Sequence, residues 1–113
     1  MRIEFARGDS YERGFILKNK ATQAPIQTIW EDVYFTVKKY STDSEPKFQK
    51  KLSDGGITAD GDGHFTLRIA PEDTNGLPFG TYDCDIEFKL REYKRTFYGQ
   101  LVLTKEVTHV NNE

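Results

Sequence analysis

Asp83, Asp85 and Glu87 stand at alternate positions of one stretch. Paired carboxylates perform glycoside hydrolysis when they flank a cleft. Here they alternate with Tyr82, Cys84, Ile86 and Phe88. Successive side chains of a strand point to opposite faces, so these carboxylates share the open face of a strand and do not form the walls of a cleft. Lys38 on a neighbouring strand, or Lys89 further along the same one, makes that a solvated face. Cys84 falls in the apolar phase, where a thiol is a small inert hydrophobe. A Cys–His nucleophile would need it exposed near His64 or His109. Asp54, Asp60 and Asp62 lie in Gly-rich loops and offer the oxygen ligands Ca²⁺ prefers. The run Asp60-Gly61-Asp62-Gly63-His64 nevertheless lacks the EF-hand pattern and its closing Glu, and turn chemistry accounts for it. No His-x-x-x-His or Cys-x-x-Cys pair exists for zinc. Ser10, Ser41, Ser44 and Ser53 sit in turns with no Gly-x-Ser-x-Gly elbow. The expectation is no catalytic residue, no metal and no cofactor.

Two further constellations are open to a binding role. Arg7-Gly8-Asp9-Ser10 contains the tripeptide that integrins read on extracellular loops, and a turn between two strands also accounts for it. Trp30, Tyr34, Tyr93 and Tyr98 could form a platform on which sugars stack. They are not evenly spaced on one strand, and packing at the edge of a core is the competing use.

The elements that must position these residues are strands. The chain has 113 residues, the size of one domain, with 13% aromatic residues to fill a core. Net charge is −2, which speaks against a nucleic-acid partner, where a basic face is expected. No apolar run approaches the roughly 20 residues of a membrane span, and residues 1–5 form no apolar signal core. Synthesis and retention in a cytoplasm are expected, and the single Cys84 fits a reducing compartment.

Strong alternation predicts strands over 32–40, 64–70, 80–90 and 96–104. Weaker alternation predicts them over 2–6, 13–18 and 47–52, with a short extended piece at 57–59. Phe35, Phe65, Leu67, Tyr82, Ile86 and Leu101 hold the inward phase, as do Phe15, Leu17 and Phe97. Residues 91–95 read as a charged turn, and 71–74 as one helical turn begun by Pro71. Ile26, Ile29 and Trp30 are expected to cover one end of the core. A polar outer face on the 80–90 strand belongs to an antiparallel sheet. About seven short strands spaced by turns predict an all-β, immunoglobulin-like antiparallel sandwich over residues 1–106, with a polar tail at 107–113. "Immunoglobulin-like" means architecture only, because the Cys…Trp…Cys pattern of antibody domains is absent.

In order along the chain stand Ile3 to Phe5 followed by Arg7-Gly8-Asp9-Ser10, then Val33-Tyr34-Phe35-Thr36-Val37, then Pro71-Glu72-Asp73-Thr74. Leu77-Pro78-Phe79-Gly80-Thr81-Tyr82 and Gly99-Gln100-Leu101-Val102-Leu103 complete the series. This pattern resembles the small immunoglobulin-like domains of tailed phages and prophages, similar to the N-terminal domain of the baseplate upper protein of lactococcal-type phages. The resemblance implies a non-enzymatic structural or assembly protein of a virion. Its partners would be other virion proteins or further copies of itself, with no nucleic acid and no membrane. It would be made in the bacterial host cytoplasm and then carried in the virion. An end near Glu113, with no receptor-binding region behind it, leads to the expectation of a stand-alone accessory protein. Such domains act through faces and strand edges. The first two strands and residues 47–52 are the expected edges, and Tyr11, Tyr34 and Tyr98 the expected interface anchors. The alternative is a carbohydrate-binding sandwich module for surface adhesion.

Overall fold

Each alternating stretch becomes a strand because one face finds apolar cover. A computed structural model describes residues 1–105. The strands are β1 (Arg2–Ala6), β2 (Tyr11–Ile16), β3 (Asp32–Lys38), β4 (Phe48–Lys51), β5 (Ile57–Gly61), β6 (His64–Ile69), β7 (Gly80–Leu90) and β8 (Tyr93–Thr104). One helical turn, α1 (Pro71–Thr74), joins β6 to β7. The proposed tail at 107–113, the domain's expected last residue 106, and His109 lie outside the described residues. Among those described, no helix is long and apolar enough to cross a membrane.

The strands form a five-stranded sheet, β1-β8-β7-β3-β4, packed on a three-stranded sheet, β2-β6-β5. The all-β sandwich is therefore as expected, with two refinements. Among the described residues the strands number eight. One pairing is parallel, because β1 lies beside β8 with Arg2 opposite Gln100 and Ala6 opposite Thr104. Alternation is the same in parallel and antiparallel strands, so strand direction is not written in it. The chain leaves β1 for the other sheet, which frees β1 from a hairpin partner and lets it close the edge of β8. The small sheet matches the B-E-D order of immunoglobulin sandwiches, and the large one their C-F-G order extended at both ends.

Between the sheets lies one core. Val33, Phe35, Val37, Tyr82, Ile86, Phe88, Leu101 and Leu103 of the large sheet meet Ile57, Phe65, Leu67 and Ile69 of the small one, all buried. Phe35, Phe65, Leu67, Tyr82, Ile86 and Leu101 are buried, from Phe35 at 0% exposure to Ile86 at 6%, whereas Phe15 is only partly buried and Phe97 is exposed. The Tyr82 hydroxyl donates to the Pro78 carbonyl at 2.6 Å. This is the tyrosine corner of immunoglobulin sandwiches, two residues before the position that carries a cysteine in antibody domains and carries Cys84 here.

Three local expectations are corrected. Residues 93–95 are strand and not turn, since β7 and β8 form a tight hairpin with Leu90 opposite Tyr93 and Arg91 at φ 57°. Their charges are compatible with a strand because this end of β8 has water on both faces. Ile29 does not cover the core and is 89% exposed, whereas Ile26 and Trp30 do pack against it. The second strand runs over Tyr11–Ile16, with Leu17 buried just beyond its end and Ile16 exposed.

Candidate functional site

The residues first singled out for chemistry are mostly occupied with structure. Cys84 is buried, and burial together with the nearby Asp85 and Asp83 pushes its thiol up to about 12. At neutral pH it is a protonated core side chain and no nucleophile. We therefore expect Cys84 to react with a disulfide reagent such as DTNB only upon unfolding. Rapid labelling of the native protein, at a rate insensitive to urea, would contradict this placement.

Asp54 closes its own turn, accepting from the N–H groups of Lys51 and Gly56 at 3.2 and 2.9 Å. Asp60 accepts from the hydroxyls of Thr58 and Thr66. Among the described residues no acidic, histidine or cysteine cluster is arranged to hold a metal. The Arg7-Gly8-Asp9 turn is docked onto the sandwich. The Arg7 guanidinium donates to the Leu77 carbonyl and lies 4.1 Å from the centre of the Phe79 ring, while Gly8 N–H donates to the buried Thr74 hydroxyl at 2.9 Å.

The carboxylate stripe runs along the outer face of the large sheet. Asp85 lies opposite Thr36 on one side and Tyr98 on the other, with Lys38 close by. Partial burial and the like charge of Glu87 raise the Asp85 pKa above the ordinary carboxylate value, against the pull of Lys38. The native state thus holds this proton to higher pH than the unfolded chain does. The carboxylate opposes folding once pH has risen through the raised value, and the penalty is absent below the unfolded one. Asp85→Asn should shift stability at neutral pH by no more than about 0.5 kcal/mol, in the stabilising direction. It should also flatten the fall in stability as pH climbs from acid, read from urea midpoints. A clear loss of stability at pH 7 would show that the charge is instead held by a productive ion pair.

The expected interface tyrosines separate into two groups. Tyr34 and Tyr98 share the outer face of the large sheet, two strands apart, with Tyr98 74% exposed. Tyr11 is on β2 and stacks on Phe5 at 4.7 Å, half-buried at the margin of the core. In the proposed sugar platform, Trp30 is packed between Tyr93 at 5.9 Å and Phe88 at 5.3 Å. Tyr34 and Tyr98 point from other strands, so no continuous platform forms.

A different feature stands open. β1 pairs only with the last five residues of the twelve-residue strand β8. Among the described residues, 93–99 therefore have β7 on one side and no strand on the other. The Gln100 N–H donates to the Met1 carbonyl at 3.1 Å, so its backbone groups face the β1 side. Backbone direction alternates along a strand, so the N–H and C=O groups of Lys94, Thr96 and Tyr98 face the same open side. Gly99 permits the join where β1 begins, because a side chain there would place its Cβ 2.4 Å from the Met1 carbonyl oxygen.

The small sheet is too narrow to cover the inner face of this overhang. Phe97 keeps the inward phase but is 37% exposed, and Ile16 on the facing strand is 43% exposed. Between them lies a groove of about 450 Å³, with Phe15, Ile86 and Phe88 in its floor. Phe88 ties the floor together, touching the rings of Phe15, Phe65 and Phe97. Arg13, Lys18, Lys20 and Arg95 also line the groove, and no carboxylate does. The second wall, β2, is itself a sheet edge. The sequence pattern places 93–95 in a turn and starts the strand at Thr96, which cuts Tyr93 and Arg95 off from Phe97. Their alternation, continuous with Gly99 and Leu101, was the available signal.

The fold and these edges define an immunoglobulin-like sandwich with partly unpaired sheet margins. Among solved structures, the endo-beta-1,4-mannanase from Thermotoga petrophila is similar, with a TM-score of 0.55 and 12% identity over 92% of this chain and 18% of that one. The chain thus spans a small fraction of that enzyme's length, and the likeness is one of fold. No protein-family model and no curated protein matches the chain.

Proposed function

We propose that this chain is a non-enzymatic structural or assembly protein of a phage or prophage particle, a tail, baseplate or accessory virion component. It acts through contacts with other virion proteins or with copies of itself. The single observation behind this reading is the unpaired margin of β8 beside an apolar groove. Unpaired strand edges are templates for a partner's backbone. Exposed apolar surface rimmed by polar groups is characteristic of protein-interaction sites. The resemblance to phage immunoglobulin-like domains supplies the setting: the protein is made in the host cytoplasm, then carried in the virion. Charged outer faces, a buried thiol and turn-bound carboxylates give catalysis no foothold in this reading.

Induction of a lysogen carrying the gene, followed by purification of particles, tests it. The protein should be recovered with the virion proteins, or should form a defined oligomer in light scattering. Particles lacking the protein, together with a strictly monomeric domain that binds a glycan saturably, would favour the carbohydrate-binding module instead.

A further inference from the structure

We propose that the groove between β2 and the overhang of β8 is an acceptor slot for one extended strand of a different protein chain. That strand carries apolar side chains at alternate positions and carboxylates at its flanks. The inference rests on the assembly reading above and specifies its partner.

Three observations carry it. The first is the backbone. Lys94, Thr96 and Tyr98 each turn one N–H and one C=O toward the open side, the pattern to which an added strand hydrogen-bonds. An added strand there would continue the line of β1, which already pairs with residues 100–104. The second is the inner face. Every other side chain of the incoming strand would point inward, toward Phe97 and Phe15, and these are inward-phase apolar residues left partly uncovered. The third is charge. Arg13, Lys18, Lys20 and Arg95 surround the groove, and none makes an ion pair among the described residues. The chain as a whole carries −2, so this concentration of cations is local. It favours a partner with carboxylates and repels a basic one.

The same charges argue against a second copy as the occupant. Self-pairing of two 93–99 edges would gather Lys94 and Arg95 from both copies on one short interface, beside the other groove cations. Lysines on an open edge discourage such self-association. The acidic stripe of Asp83, Asp85 and Glu87 does not relieve this, because it lies on the opposite face of the sheet.

The test probes the full chain with an array of random nine-residue peptides, then measures the best binders in solution by fluorescence polarisation. Selected peptides should alternate apolar residues and carry Asp or Glu at their flanks, and their affinity should fall as salt rises. Thr96→Pro removes an outward N–H at a sheet edge, a place where proline is tolerated. It should weaken these peptides by about tenfold or more while the melting temperature stays near that of the wild type. Arg95→Glu alters an exposed side chain and should shift selection away from acidic flanks. If Thr96→Pro unfolds the protein, Arg95→Glu alone decides. Selection of basic peptides, no selection at all, or binding indifferent to both variants overturns the slot. So does a wild-type dimer that Arg95→Glu or Thr96→Pro abolishes, because the occupant is then a second copy. Loss of the slot with the protein still recovered in particles leaves the assembly reading standing. Peptide binding without recovery in particles removes the virion setting and keeps the slot.

Discussion

Phe35→Ala is expected to destabilise the domain by about 3–5 kcal/mol. The ring is fully buried at the centre of β3. It faces Ile86 across the pairing with β7 and contacts Phe48 of the edge strand β4, with ring centres 6.3 Å apart. Truncation removes the transfer energy of the ring and leaves a cavity between two sheets whose backbones are fixed by their hydrogen bonds. Neither sheet can close onto the gap without giving up register, so relaxation recovers little. Domains of this size are stable by about 5–15 kcal/mol, and at the low end of that range the variant is largely unfolded. Urea denaturation measures the effect as a large fall in the midpoint with an unchanged slope. Equal midpoints for Phe35→Ala and wild type would reject the placement of β3 at the centre of the core.

Gly63→Ala should cost about 2–3 kcal/mol, unusually much for the addition of one methyl group. Gly63 ends the β5–β6 hairpin at φ 75°, a left-handed conformation that costs other L-residues roughly 1–2 kcal/mol. A Cβ there would also lie 3.0 Å from the carbonyl oxygens of both Leu17 and Ile26 and 3.1 Å from Pro25 Cβ. Those atoms cannot withdraw freely. The Leu17 N–H donates to the Gly63 carbonyl at 2.9 Å, and the Ile26 N–H donates to the Leu17 carbonyl at 2.8 Å. The hairpin tip thus seals the end of the sandwich where the chain leaves β2. Gly61, in the same turn at φ 93°, has nothing within 4 Å of the same built position. Gly61→Ala should therefore show the conformational cost alone. Thermal melts of the two variants separate the terms, and equal losses would mean that the packing around Gly63 contributes nothing.

The sequence alone determined the period of each strand and with it the core. Alternation records which side chains leave water, and it does so residue by residue within one strand. Phe35, Phe65, Leu67, Tyr82, Ile86 and Leu101 were legible for that reason, as were the Asp-Gly hairpin and the single turn at Pro71. The helical turn and hairpin depend on neighbours a few positions away. Tertiary structure alone decided how strands meet. The parallel seat of β1 on β8 leaves no trace in alternation. Tyr11 reads as an outward anchor until Phe5, from another sheet, is found stacked on it. Phe97 has the same inward phase as Leu101, yet Leu101 is fully buried and Phe97 is not. The difference is whether the opposite sheet extends far enough to cover the position. The groove and the open edge follow from unequal strand lengths and sheet widths. These are properties of pairs of distant segments, and a local pattern of side chains cannot encode them.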